Sequence, residues 1–317
     1  MTQLENSTEH NQTNVDRDPF HRVVDGLDAN FGTAPGRRAA HAKGVVVYGT
    51  FTATPDAGSL SRAAHFAGQP VQVVARFSNF PGGAPHHDAA PECNPRGLAV
   101  QFRLDDGSTT DLLAHSIDGF PGRTIDDFAD FLEAISPRGD GPGHYLASHG
   151  AAAAFVQAVQ AHRPPVSYAT LDYFAVNAFC FHNDEGSTIA GRYTWKARSG
   201  QAFLGDDEIT EAAFGYLGDE LIRRLSLGPV VFDLVLTVAE PGDITNDANS
   251  KWPDDRRKVI VGTLQLTTLA SKSELTEQGL FFDPVRLTDG ITISDDPLLV
   301  GRTLTYPISL ARRHEGA

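Results

Sequence analysis

The chain of 317 residues carries 26 basic against 40 acidic side chains, a formal charge of −14, and is 41% hydrophobic. That balance excludes a surface built to grip nucleic acid or anionic lipid, since both need clustered Lys and Arg, and no run approaches the roughly 18 apolar residues of a membrane span. Two cysteines, Cys93 and Cys180, permit one bridge at most and exclude a disulfide scaffold or a four-thiolate metal site. In chain order, residues 1–19 are polar and lack the apolar centre of a secretory signal, so they read as a flexible tail on a cytoplasmic protein, with 20–317 as a single domain. Runs rich in β-branched and aromatic residues predict strands at 45–51, 71–77, 98–102, 178–181, 193–196, 230–238 and 259–266. Helices are expected at 124–135, with Thr124 as cap, at 147–161, and at 209–227, where Leu217, Leu221, Ile222 and Leu225 share a stripe that ends at Gly228-Pro229. Many strands with few helices between them predict an α+β protein with a closed antiparallel β centre and helices outside it.

Chemistry-bearing side chains concentrate near the two ends of the chain. One segment runs Arg38-Ala39-Ala40-His41-Ala42-Lys43-Gly44 into the first strand and is followed by Arg76-Phe77-Ser78-Asn79. The other runs from Asp296-Pro297 through Arg302 and Tyr306 to Arg312-Arg313. Between them stand Asn94-Pro95-Arg96-Gly97, Lys251-Trp252-Pro253, Phe282-Asp283-Pro284 and Gly290-Ile291. In this order, over about residues 38–313, the segments resemble the haem-dependent catalases. The resemblance implies an antiparallel β-barrel core of the haem catalase type with peripheral helices. The sequence ends four residues after Arg313, so the C-terminal flavodoxin-like domain of large catalases is expected to be absent, and the chain looks like a minimal catalase, a catalase-related peroxidase.

What the resemblance implies can be checked against residue chemistry. It makes Tyr306 the axial tyrosinate of ferric haem b. A phenol of pKa about 10 needs a positive neighbour as well as the metal to stay ionised, and Arg302 stands one helical turn earlier on the same face. Arg313, Arg38 and Arg76 are implied as propionate partners, and Pro307 predicts a bend in the helix that carries Tyr306. His41 matches the family's catalytic histidine. Splitting a peroxide O–O bond requires a proton to be taken from one oxygen and given to the other, which a single imidazole can do. Arg76 and Ser78, two apart on a strand, share a face, so one strand can orient the imidazole and hold the cofactor. Where large catalases carry the asparagine that polarises peroxide, this chain reads Leu113-Ala114-His115-Ser116. His115 takes its place, which favours peroxidase chemistry over fast dismutation. Phe128 matches a haem-side aromatic, with ordinary helix-face packing as an equal reading.

Singly, each of these residues has an ordinary structural explanation; their joint order decides the reading. His86-His87-Asp88 with Cys93 lacks zinc-ligand spacing and reads as a loop, and Trp195 and Trp252 read as packing. Three functions fit the sequence. The first is a haem peroxidase reducing hydrogen peroxide or organic hydroperoxides with a small organic donor, with weak catalase activity. The second is a catalase-like enzyme that rearranges or isomerises fatty-acid hydroperoxides, and the third a non-enzymatic haem-binding barrel. The third ranks last because His41 with Ser78 is more than a carrier requires, and the second needs a long apolar channel that the sequence does not reveal. Expected partners are a peroxide and a small-molecule reductant, with a homo-oligomer left open.

Overall fold

The computed structural model describes residues 18–137, 139, 141–271 and 279–315. Within them, alternation along each strand decides which face is buried. The strands are β1 (Gly44–Ala53), β2 (Val71–Asn79), β3 (Arg96–Arg103), β4 (Thr109–His115), β5 (Tyr173–Phe174), β6 (Phe179–His182), β7 (Thr188–Ala197), β8 (Val230–Val238), β9 (Lys258–Leu269) and β10 (Ile291–Ile293). They form one antiparallel sheet in the order β10-β6-β7-β5-β4-β3-β2-β1-β9-β8, and pairing of β7 with β8 closes all but β6 and β10 into a barrel. Closure removes the exposed edges that an open sheet of this size would present.

Val73, Ala75 and Phe77 of β2, Leu98, Val100 and Phe102 of β3, and Leu112 and Ala114 of β4 point into the barrel core, where Phe51, Trp195 and Phe232 are fully buried. The intervening residues, Arg76 and Ser78, Gly97 and Ala99, and Leu113 and His115, point outward instead and line a cavity on the barrel's flank. This is the alternation expected for the 71–77 strand.

The helices are α1 (Pro19–Phe31), α2 (Pro55–Leu60), α3 (Ile125–Ala134), α4 (Pro142–Ser148), α5 (Gly150–Ala161), α6 (Asp206–Glu211), α7 (Tyr216–Leu227) and α8 (Pro297–Glu315). A second apolar cluster joins Val23, Val24 and Leu27 of α1 to Ile125, Phe131 and Leu132 of α3 and Ala152 of α5. This helical layer stands over the outer face of β2–β4 and encloses the cavity. Arg312 ties α8 to α1 through Asp25 and Asp28. A Cβ on Gly301 would lie 2.7 Å from Ile125 Cβ, so only glycine lets α8 approach α3 this closely. Thr124 caps α3 as expected: its side chain accepts from Asp127 N, and the Asp127 carboxylate accepts from Thr124 N.

Several elements differ from expectation. Residues 1–17 of the expected 1–19 tail lie outside the described residues, and Asp18 caps α1 with Pro19 as its first residue. The single helix expected at 209–227 is two, α6 and α7, and Ile222 is exposed while Leu217 and Leu221 are buried. The break has a use: the Phe214 carbonyl and the Leu217 amide both bond Asp88. The 147–161 segment divides at His149 between α4 and α5. Pro307 lies inside α8, which continues to Glu315. Both cysteines are free. Trp195 packs in the barrel, and Trp252 lies under the Arg192 guanidinium at 4.4 Å.

Candidate active site

The nine residues singled out from the sequence all face one cavity of about 460 Å³ between the sheet and the helical layer. Its walls are largely apolar, with Val24, Leu27, Phe31, Phe128, Leu132 and Phe155 among them. Phe128 faces the cavity, meets Phe120 edge-on with ring centroids 4.8 Å apart, and also packs into the helical cluster.

On the sheet side, three neighbouring strands form a row. Ser78 pairs with Gly97, and Gly97 pairs with His115. The His41 ring lies over this row: a Cβ on Gly97 would come within 2.7 Å of Ser78 Oγ and 2.9 Å of His41 Nδ1. Ser78 Oγ is 3.0 Å from His41 Nδ1, and Phe80 abuts the imidazole edge-on at 5.5 Å. His41 itself has φ of 57°, a left-handed conformation uncommon outside glycine, with its amide donating to the Phe80 carbonyl at 2.6 Å. Burial, followed by the charges of Arg76, His115, Arg302 and Arg38, pushes the His41 pKa down to about 3. Burial and the Arg302 charge push His115 down to about 4. Both imidazoles are therefore neutral at pH 7 and each offers one nitrogen lone pair. His115 Nδ1 is buried with no protein partner among the described residues.

On the helical side, α8 presents Tyr306. Arg302 Nε and Nη2 donate to Tyr306 Oη at 3.2 and 3.0 Å, the one-turn spacing read from the sequence. Arg302 Nη1 donates to Asn177 Oδ1 at 2.8 Å, and Asn177 Nδ2 donates to Asp296 Oδ2 at 2.8 Å. Asp296 in turn accepts from Leu298 N at the start of α8. Its buried carboxyl has a raised pKa because desolvation outweighs these bonds. Asn177 and Asp296 were not recognised as site residues; Asp before Pro297 is a helix-start signal, whereas nothing local marks Asn177. At the cavity's other end, Arg38 Nη2 and Arg313 Nη2 converge on the Leu280 carbonyl at 2.7 and 3.3 Å, and buried Arg76 donates to the Ala42 carbonyl at 3.3 Å.

This donor set suits a planar apolar macrocycle with carboxylate arms. It offers aromatic and aliphatic walls, a phenol held by guanidinium, buried arginines and two neutral imidazoles. His87 and Asp88 of the His86-His87-Asp88 loop are taken up by protein partners, His87 Nε2 bonding the Ala212 carbonyl. Among the described residues no helix is long and apolar enough to cross a membrane.

Comparison with known proteins identifies the family. The catalase family profile matches residues 33–317. A catalase-related peroxidase of Mycolicibacterium paratuberculosis is 38% identical, over 92% of this chain and 94% of that protein. A catalase-related peroxidase of Synechococcus elongatus is 33% identical, over 93% of this chain and 88% of that one. In fold, a fungal catalase superposes with a TM-score of 0.78 at 21% identity, covering 87% of this chain and 59% of the other. A barrel with such a flanking pocket is thus an oxidoreductase of the peroxide-handling class. The chain belongs to the catalase family, which implies haem as its cofactor and peroxide as its substrate and removes the non-enzymatic carrier from consideration.

Proposed function

We propose that this protein is a haem b peroxidase that reduces hydrogen peroxide or organic hydroperoxides at the expense of a small organic donor, with weak catalase activity, and that residues 20–317 act as one haem-binding domain. The observation that carries the reading is a neutral imidazole, His41, fixed by Ser78 in the same cavity as the Arg302–Tyr306 pair.

Bound haem would supply a redox-active ferric centre. Tyr306 is the residue to ligate it as tyrosinate, with Arg302 stabilising the phenolate by two hydrogen bonds and its positive charge. Arg38, Arg76 and Arg313 would take the propionates. His41 accepts the proton of an incoming peroxide at its free nitrogen and returns it to the departing oxygen, while Ser78 holds Nδ1 and so fixes which nitrogen does the work. His115 supplies a second neutral imidazole at the place where large catalases use an amide. An imidazole has one lone pair or one N–H to offer at a given nitrogen, where an amide brings a carbonyl and two N–H groups, so peroxide is held less well as a reductant and an organic donor takes that role. The apolar wall contributed by Phe155, Val156 and Val159 of α5 accommodates alkyl or aryl hydroperoxides.

The test is haem-loaded protein given cumene hydroperoxide and a phenolic donor. Donor oxidation and formation of the alcohol support the reading, whereas an isomerised product points to hydroperoxide rearrangement. His41→Ala should lower the peroxide-dependent rate by at least about 100-fold, and full activity in that variant defeats the mechanism. Tyr306→Phe should lose the absorption bands of tyrosinate-bound ferric haem; their retention defeats the ligand assignment.

A further inference from the structure

We infer that Asp88, in the loop between β2 and β3, is a positioning residue that holds the distal groups in register, an inference that rests on the reading of His41 and Ser78 as the proton-handling pair. Asp88 is fully buried. Its Oδ1 accepts from Lys43 Nζ at 2.5 Å and from Asn79 Nδ2 at 2.7 Å, and its Oδ2 accepts from the Leu217 amide at 3.0 Å. Its own backbone carbonyl accepts from Arg96 Nη2 at 2.5 Å, and its amide donates to the Phe214 carbonyl at 3.0 Å.

The partners form a pattern. Lys43 stands two residues after His41, Asn79 one after Ser78, and Arg96 one before Gly97. His41, Ser78 and Gly97 therefore each have a close chain neighbour bonded to this one residue. The Asn79 amide also donates to the Lys43 carbonyl at 3.0 Å, and Tyr168 Oη donates to Asn79 Oδ1 at 2.9 Å, so the Asn79 link is braced from the barrel side as well. A carboxylate removed from water is tolerable only when paired and fully hydrogen-bonded, and here Lys43 and the nearby Arg96 supply positive charge. None of these groups touches the cavity except through the residues beside it, and the acid–base chemistry does not use them. What they fix is the relative placement of three chain segments that pairing along β2–β3 alone does not fix, because His41 precedes β1 in a left-handed turn.

The experiment compares haem-loaded Asn79→Ala, Asp88→Ala and Asp88→Asn with wild type and with His41→Ala. Rates with cumene hydroperoxide are measured by stopped flow and expressed per bound haem, alongside melting temperature, donor KM and crystal structures. Asn79→Ala leaves three donors on Asp88, so it serves if Asp88→Ala does not fold. Asn79→Ala and Asp88→Ala should lower the peroxide rate on the order of 10- to 100-fold, the scale of an ångström-level misplacement of a catalytic group. Donor KM and the haem absorption spectrum should not change, and the Ser78 Oγ–His41 Nδ1 separation should exceed hydrogen-bonding distance. Asp88→Asn keeps an acceptor for Lys43 and Asn79 and should recover part of the rate. A lowered melting temperature with the wild-type rate per haem and an unchanged separation overturns the proposal, reducing Asp88 to a stability element. A slow His41→Ala beside a full-rate Asn79→Ala overturns this proposal alone, while a full-rate His41→Ala overturns the reading beneath it.

Discussion

Gly97→Ala tests the row that carries the imidazole. A methyl at this position would stand 2.7 Å from Ser78 Oγ and 2.9 Å from both Cε1 and Nδ1 of His41. Against an optimal separation of about 3.5 Å, the hydroxyl must retreat by about 0.8 Å and the ring by about 0.6 Å. Neither has a free direction. Ser78 sits within a strand paired on both sides, and His41 is backed by Phe80 and held at its amide by the Phe80 carbonyl. Overpacking of this kind costs about 1–3 kcal/mol, so the variant should fold with a lowered melting temperature. The larger effect falls on rate: a displacement of that size at an acid–base group lowers the peroxide reaction by about 10- to 100-fold. Stopped-flow mixing of haem-loaded protein with hydroperoxide, with the absorption spectrum as a control for haem retention, measures it. Wild-type rates in Gly97→Ala would refute the claim that the His41–Ser78 contact sets the reaction.

Four further outcomes follow from the same geometry. Because His41 and His115 are held at about 3 and about 4, the unfolded chain binds protons below about pH 6.5 that the folded chain does not. Their stability contribution is therefore complete above that pH and is lost as pH falls toward the folded values; urea midpoints should drop between pH 7 and pH 5, and a constant midpoint contradicts this. For the same reason the peroxide rate should stay level from pH 7 to pH 5, and an acid limb centred near the free-imidazole value of about 6.5 would show that His41 is not so shielded. Asn177→Leu strips Asp296 of a buried donor and Arg302 Nη1 of its acceptor, which should cost about 1–3 kcal/mol in a thermal melt and shift the haem absorption bands through Arg302. Asn94→Ala removes bonds to the Val159 and His162 carbonyls at the end of α5, and limited proteolysis should then cut α5 faster; an unchanged rate argues that α5 docks by its apolar face alone.

The strands most legible in the sequence were those with a strict alternation. In β2 the period of two places Arg76 and Ser78 on one face, and the one-turn spacing of Arg302 and Tyr306 does the same on α8. Short elements were not legible. β5 and β10 have two and three residues, too few for a period to emerge, and α1 declares itself only through the Asp18-Pro19 cap. The break between α6 and α7 was missed because its cause is distant: in another loop, the Asp88 carboxylate accepts from the Leu217 amide and the Asp88 backbone N–H donates to the Phe214 carbonyl. Asn177 escaped for the same reason, being an ordinary loop amide until the fold sets it between Arg302 and Asp296.

The candidate chamber lies outside the barrel, between its outer wall and a layer of helices. Packing inside the cylinder and selectivity beside it are therefore governed by different residues, odd and even along the same strands. Substitutions on α5 can resize the chamber for a new oxidant while the cylinder keeps its full complement of buried side chains, so the scaffold can change its diet without renegotiating its stability.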